Sequence, residues 1–553
     1  MVSDTHHHNR LPLLIFGAAI LLILWQILLP GYIFGLDQIV TPFGVPDFFN
    51  DGFYNRLPQY LIQSLLYFIL PGWLAQKVVI VSLFAGLAYL PYRFLPIKNN
   101  RARLWVAVFF LVNPFVYTRF LAGQLSVLFS YACLPPFIYY LVRFWRGGQQ
   151  KDIWLTFLWL LILGSFSIHF LIMAILILLG VSLVSIIQHR HKLKTILKPC
   201  LLAGIIFLLI SSYWIAPYLL DSSKNQINNI SVEHSTAFQT TADPHLGTTL
   251  NVLALNGFWA EDDPWADYFI WPKDHFWFWL PIWLLLLALM AVGVRQALIE
   301  PTHRAYALTI LIVATGALIF SCGVAESPFR SLNQWLFEHF GFWRGFRDTT
   351  KWSAFITLAY AYFGAVGVTQ ISNYVKKFGR DWPTHTTTAL LILPLAFTYP
   401  MLGGFSRQIQ PVWYPNGWFE AKKIIDTLPD DAKIIALPWH QYLSLPFNRY
   451  QISANPTRLF FGDRIIQSEN MELADVTGLQ PGSLAEKIDW LLTQNSLPPE
   501  TISRELQLLG INYAIVLNEL LPYDQLQYPL LITPDLIPLY SSPEISLYGF
   551  PVP

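Results

Sequence analysis

Apolar stretches about the length of a bilayer crossing fill the first four hundred residues. A hydrocarbon core of about 30 Å is crossed by roughly 20 mostly apolar residues rising 1.5 Å each. Eleven runs approach that length, near 11–30, 75–95, 104–120, 125–145, 152–167, 168–188, 196–219, 276–294, 305–322, 352–372 and 387–404. The fifth and sixth come from one stretch, divided at Gly164-Ser165-Phe166-Ser167-Ile168-His169, which reads as a tight turn. Residues 57–70 are apolar but too close to the next run to cross on their own, and predict an amphipathic helix in the interface. Beyond 404 the pattern changes. Apolar runs shorten to strand length and alternate with polar helical stretches: helices over 417–428, 486–494 and 501–509, strands over 433–437 and 513–517, and a closing hairpin from 537–540 and 545–550.

The expected fold is therefore a polytopic α-helical membrane protein of about eleven transmembrane helices with a C-terminal extracytoplasmic α/β domain. Residues 1–404 form the membrane domain, with outer loops 31–74, 221–275 and 324–351, and residues 405–553 form the second domain. Sidedness follows from the cations of the short loops, because Lys and Arg resist export. Lys98, Arg101 and Arg103, then Arg143, Arg146 and Lys151, then Arg190, Lys192, Lys194 and Lys198, then Arg295 and Arg304, and finally Lys376, Lys377 and Arg380 occupy alternate loops. The N-terminus is thus expected inside and the C-terminal domain outside. No small-residue cleavage site follows the first run, so it reads as a retained helix.

Composition removes several classes. With 54% hydrophobic and 12% charged residues the chain does not fit a soluble domain. Lys plus Arg (35) balance Asp plus Glu (34), leaving no global field for nucleic acid. Cys133, Cys200 and Cys322 lie in apolar runs and read as packing residues. Many of the 21 Trp and 26 Tyr sit at run ends, as an interfacial aromatic belt does. His6, His7 and His8 read as a solvated tail.

Candidate chemistry gathers in the outer loops. Asp37 lies just past the first run, where a carboxylate can face a membrane-embedded substrate; an ordinary loop-capping aspartate is the plainer reading. Asp47 and Asp51 sit in turn-like sequence, and either is placed to help hold a metal or an acceptor hydroxyl. Arg119 is at the outer headgroup level, suited to phosphate oxygens through its planar fork or to simple snorkelling. Gln124 follows in the next turn, and His169 in the turn between runs five and six. Arg344, Arg347 and Lys351 crowd the outer stretch Gly341-Phe342-Trp343-Arg344-Gly345-Phe346-Arg347-Asp348-Thr349-Thr350-Lys351, where topology does not select for cations, so an anionic lipid phosphate is a natural ligand. Glu261, Asp262 and Asp263 lie among Trp259, Trp265 and Trp271, a combination that suits a sugar. P-loop, dinucleotide, zinc-protease and nucleophile-elbow motifs are absent from the sequence. No cofactor is required by any motif, and a divalent metal remains open.

Taken in order, Phe34-Gly35-Leu36-Asp37, Asn113-Pro114-Phe115 through Gly123-Gln124, Tyr213-Trp214-Ile215-Ala216-Pro217, the 342–351 stretch, and in the tail 434–438 and 509–516 resemble membrane glycosyltransferases of the C fold. The likeness is to the arabinofuranosyltransferase branch and to YfhO-type bacterial membrane proteins, in order and spacing over most of the chain. It implies sugar transfer, with inversion, from a polyprenyl-phosphate donor to an envelope glycan, glycolipid or protein acceptor at the cytoplasmic membrane of a prokaryote. It also implies Asp37 as the base, with Arg119, Arg344, Arg347 and Lys351 on the donor phosphate. The paired acidic motif of several branches is missing from the first loop. Rival readings are a transporter or flippase for a lipid-linked or small substrate, which would place ionisable residues in mid-span, and a non-catalytic envelope-assembly protein.

Overall fold

The computed structural model describes residues 11–43, 54–147, 149–188, 193–220, 235–470, 482–493, 497–520 and 536–551. The chain is an integral membrane protein by the length and composition of its helices. These are α1 (Leu11–Leu24), α2 (Leu57–Ile69), α3 (Gly72–Phe94), α4 (Asn100–Leu111), α5 (Pro114–Leu121), α6 (Leu125–Ala132), α7 (Leu134–Trp145), α8 (Gln150–Phe166), α9 (Ile168–Gln188), α10 (Leu193–Leu220), α11 (Gly247–Leu253), α12 (Phe276–Ile299), α13 (Pro301–Ser321), α14 (Arg330–His339), α15 (Ser353–Val375) and α16 (Trp382–Phe397). Helix covers each of the expected runs, but among the described residues eight spans are long and apolar enough to cross, or nine if α16 and the segment Tyr399–Phe405, bent by 83°, count as one. The first and fifth runs fall short, as helices of 14 and 17 residues. The break before α9 is at Ser167, which is extended.

The third run bends where the sequence requires it. Pro114 disfavours helical backbone at Asn113, which is extended instead, and the Asn113 side chain caps α5 by accepting from the Val116 N–H at 3.0 Å. At the centre of the bundle α15 is buried continuously over its first four turns. Its contact with α12 depends on glycine: a Cβ on Gly293 would lie 1.8 Å from the Phe363 carbonyl oxygen, and one on Gly367 2.3 Å from that of Leu289. Small residues at such crossings let helices gain dispersion contacts in a lipid environment, where burial of apolar surface gives little. The helix α2 leaves Leu61, Leu65, Phe68 and Ile69 exposed, the apolar face expected of an interfacial helix. All three cysteines are free thiols.

In the second domain, α17 (Asn416–Ile425), β1 (Lys433–Leu437), β2 (Tyr442–Ser444), β3 (Ile452–Ala454), α18 (Thr457–Phe461), β4 (Ile465–Ile466), α19 (Leu484–Thr493), α20 (Pro499–Leu508), β5 (Ile511–Leu517), β6 (Ile537–Ser541) and β7 (Ile545–Gly549) build an α/β fold. The five-stranded sheet runs β4-β1-β5-β7-β6, parallel across the first three strands and antiparallel where the expected hairpin closes it. Alternate residues of β1 feed two cores. Ile434 and Ala436 face Trp418 and Ile425 of α17, while Ile435 and Leu437 face Ile488, Ile502 and Leu506 of α19 and α20. The first core also takes in Tyr32 and Phe34 from the loop after α1. Tyr32 and Val412 exchange backbone hydrogen bonds of 2.8 and 2.9 Å, so the sheet domain is built directly onto that loop.

Candidate active site

The loop that carries Asp37 is pinned to the turn between α5 and α6. The N–H groups of Leu36 and Asp37 donate to the carbonyls of Leu121 and Ala122 at 3.3 and 2.9 Å, and Gly35 donates to Gln38 at 3.0 Å. Gly123, at φ +73°, allows this approach, since a Cβ there would stand 2.5 Å from the Gln38 nitrogen. The backbone of the turn is therefore fixed while the Asp37 side chain stays exposed. Its Oδ2 accepts from Gln124 Nε2 at 3.1 Å and its Oδ1 from the Tyr442 hydroxyl at 3.0 Å.

Behind Gln124 lies a buried charge network. Gln124 Oε1 accepts from Arg119 Nη1 at 2.8 Å, and Arg119 grips Asp348 with both terminal nitrogens, at 2.5 and 3.1 Å. Thr350 joins them, accepting from Arg119 at 2.6 Å and donating to Asp348 at 2.7 Å, and Lys351 Nζ stands 3.8 Å from the same carboxylate. Burial alone would raise the Asp348 carboxyl, but Arg119 and Lys351 hold it well below the usual carboxylate range. Burial lowers the Arg347 guanidinium, and Tyr442, Asp37 and Asp348 oppose that effect, so Arg347 shares the electrostatic neighbourhood of Asp37. Arg347 also lies over the Phe238 ring at 4.6 Å.

Asp37 is also among the residues that line a cavity of about 800 Å³. Its floor includes Val79 and Ser82 of α3, Leu125 and Phe129 of α6 and Phe166 at the end of α8; its wall is the polar side of α2, with Gln59, Tyr60 and Gln63; its roof comes from the sheet domain. Cations lining it are Arg56, Lys422 and Arg458, and Asp463 lines it beside Arg458. A largely apolar floor under a polar lining that carries these cations suits a ligand with a hydrocarbon tail and an anionic head.

No protein-family model matches the sequence, and no curated protein matches it. Among solved structures, arabinofuranosyltransferase AftD from Mycobacteria superimposes with a TM-score of 0.63 at 14% identity, over 98% of this chain and 40% of AftD. The chain shares the fold of that part of AftD. It spans about two fifths of the length of AftD. ArnT from Cupriavidus metallidurans, in the apo state, aligns with a TM-score of 0.47 at 12% identity over 97% of both chains.

Of the residues expected from sequence, Asp37, Gln124, Arg119, Arg347 and Lys351 are brought into one neighbourhood, but with divided duties. Arg119, expected to hold donor phosphate, is instead spent on Asp348 and Gln124, because a buried guanidinium requires a compensating carboxylate. None of the four expected cations lines the cavity. Arg344 is half-buried in the 3₁₀ turn Gly341–Phe346 and shares none of the network's hydrogen bonds among the described residues. His169 bonds the Gly345 carbonyl through Nε2 at 2.8 Å and packs edge-on against Phe346, so it anchors the cationic loop.

Glu261, expected to meet a glycan, is buried and paired with Lys273, which also meets Asp243 at 3.1 Å. Burial raises the Glu261 carboxyl against the pull of Lys273. Asp262 is exposed and Asp263 half-buried on the same loop. Asp47 and Asp51 lie outside the described residues, and no group of three potential metal ligands is found among the described ones. Sequence reasoning missed Tyr442, Arg56, Lys422 and Arg458. Arg56 directly precedes the α2 segment singled out as interfacial, a signal that was available; the other three become meaningful only once the sheet domain docks.

Proposed function

We propose that the chain is a membrane glycosyltransferase that moves a sugar, with inversion, from a polyprenyl-phosphate donor to an envelope glycan, glycolipid or protein acceptor outside the cytoplasm. In this reading the protein sits in the cytoplasmic membrane of a prokaryote with the sheet domain outside. One observation carries it: an oriented carboxylate, Asp37, stands at the edge of a cavity whose floor is largely apolar and whose lining carries Arg56, Lys422 and Arg458.

The step this geometry supports is a single displacement. Asp37 accepts the proton of an acceptor hydroxyl as that oxygen bonds to the anomeric carbon; the bond from this carbon to the phosphate oxygen breaks, and the electron pair leaves with the lipid phosphate. Developing charge on that oxygen is stabilised by cations near Asp37, for which Arg347 and Lys351 are the candidates from the loop, while Arg56 and Arg458 in the cavity are candidates for holding the donor's phosphate in the ground state. Arg119 acts at one remove by orienting Gln124. Asp262 and Asp263 remain candidates for acceptor contact.

The test is to purify the full chain, offer a panel of polyprenyl-phosphate sugars, and compare it with Asp37→Asn. Transfer by the wild type and its loss in the variant is the expected outcome. Equal transfer by both removes Asp37 as the base, and no transfer from any donor favours the transporter or assembly readings.

A further inference from the structure

Resting on the reading of Asp37 as the base, we propose that Tyr442 of the sheet domain is a positioning residue that completes the hold on this carboxylate from outside the membrane domain. A terminal carboxylate turns readily about χ2, so one hydrogen bond leaves its plane loosely set. Asp37 has two, one on each oxygen: Gln124 from the membrane domain and Tyr442 from β2. General-base geometry tolerates about 10–20° of error. Two donors on opposite oxygens meet that demand and leave each oxygen with accepting capacity for a substrate hydroxyl.

The grip extends to the backbone. Tyr442 pairs with Ala454 across the β2–β3 hairpin, and the Ala454 N–H donates at 2.8 Å to the carbonyl of Leu36, the residue before Asp37. One rung of the hairpin thus holds both the main chain and the side chain of the candidate base. The hairpin is stiffened in turn by Leu443 and Leu445, which share the core that contains Phe34, and by Ser444 Oγ, which donates to the Tyr450 carbonyl at 2.6 Å. Docking of the sheet domain and orientation of Asp37 are therefore one event.

The experiment compares full-length wild type, Tyr442→Phe and Ser444→Ala, the last weakening the hairpin without touching Asp37. Backbone hydrogen exchange over residues 36–38, which needs no substrate, is expected to rise several-fold in Tyr442→Phe and by much less in Ser444→Ala. With a polyprenyl-phosphate sugar that the wild type turns over, Tyr442→Phe is expected to lower kcat by roughly 10- to 100-fold with donor KM within about twofold, as misorientation of a reacting group does. Wild-type exchange in Tyr442→Phe overturns the proposal. So does an equal change in both variants, which would make the hairpin a scaffold only. Retained transfer in Asp37→Asn sinks the base reading instead, and the exchange result then stands or falls by itself.

Discussion

Gly35 and Gly123 meet so closely that a Cβ on the first would lie 2.8 Å from the Cα of the second. This contact lets the Asp37 loop dock on the turn that presents Gln124. Gly123→Ala meets two obstacles at once, a left-handed backbone and a Cβ placed 2.5 Å from the Gln38 nitrogen. The expected outcome is a loss of roughly 1–3 kcal/mol and at least a tenfold fall in transfer, read by thermal unfolding in detergent and by the donor-panel assay. Gly341→Ala, where a Cβ meets nothing within 4 Å, is the control and should leave both unchanged.

The Arg119–Asp348 pair supports a prediction about pH. Both side chains are buried, and breaking such a pair by removing one partner costs about 3–5 kcal/mol. Asp348 titrates lower in the folded protein than in the unfolded chain, so its contribution is present above the unfolded carboxyl value and is lost as pH falls through the lower folded one. Asp348→Asn is therefore expected to lower the unfolding temperature at neutral pH, and its deficit against wild type should shrink on acidification below about pH 4. A deficit that grows on acidification would contradict the assigned sign. Arg119→Lys keeps the charge but loses the fork, and is expected to recover only part of the stability.

Glu261 separates a structural acid from a sugar-binding one. Its carboxylate meets Lys273 and accepts from the Gly257 N–H at 2.6 Å. Glu261→Gln is expected to lower stability by about 1–3 kcal/mol while leaving acceptor KM unchanged in the folded fraction. Asp262→Asn, at an exposed position, is expected to leave stability unchanged, so a rise in acceptor KM there reports direct contact.

What could be read before the structure divides along physical lines. Apolar length announced the spans, and short apolar runs of strand length announced β1 and β5, because both are local signals. Asp37, Gln124 and the 341–351 loop were each legible as polar residues at the outer ends of apolar runs. Their partnership was not, since Arg119 and Asp348 look alike in sequence whether they face a phosphate or each other, and only packing decides that a buried guanidinium takes the carboxylate. Two helices also fell short of a full span, in runs that hydropathy alone reads as continuous: α1 stops at Leu24, ahead of Pro30, and α8 stops at Phe166, where Ser167 is extended. Tyr442 was invisible because its role requires a three-residue strand to dock against a loop four hundred residues earlier.

The cavity's own cations give the last prediction. Arg56 enters from the foot of the interfacial helix α2, Arg458 from α18 and Lys422 from α17, so three elements distant in sequence converge on one space beside Asp37. Lys422 is paired with Asp426 at 2.7 Å, and Arg458 stands 3.8 Å from Asp463, which leaves the guanidinium donors of Arg458 only loosely engaged. A charge-assisted hydrogen bond to phosphate contributes roughly 1.5–3 kcal/mol, and partial exposure at this rim reduces that. Arg56→Ala and Arg458→Ala are accordingly expected to raise donor KM about tenfold each, with kcat changed less. Lys423→Ala, a neighbour pointing to solvent at 70% exposure, should have no effect. A lipid phosphate without a sugar should compete with the donor in the wild type and compete more weakly in both arginine variants. If kcat falls while donor KM holds, these cations act on the leaving group in the transition state and not on the ground-state head group.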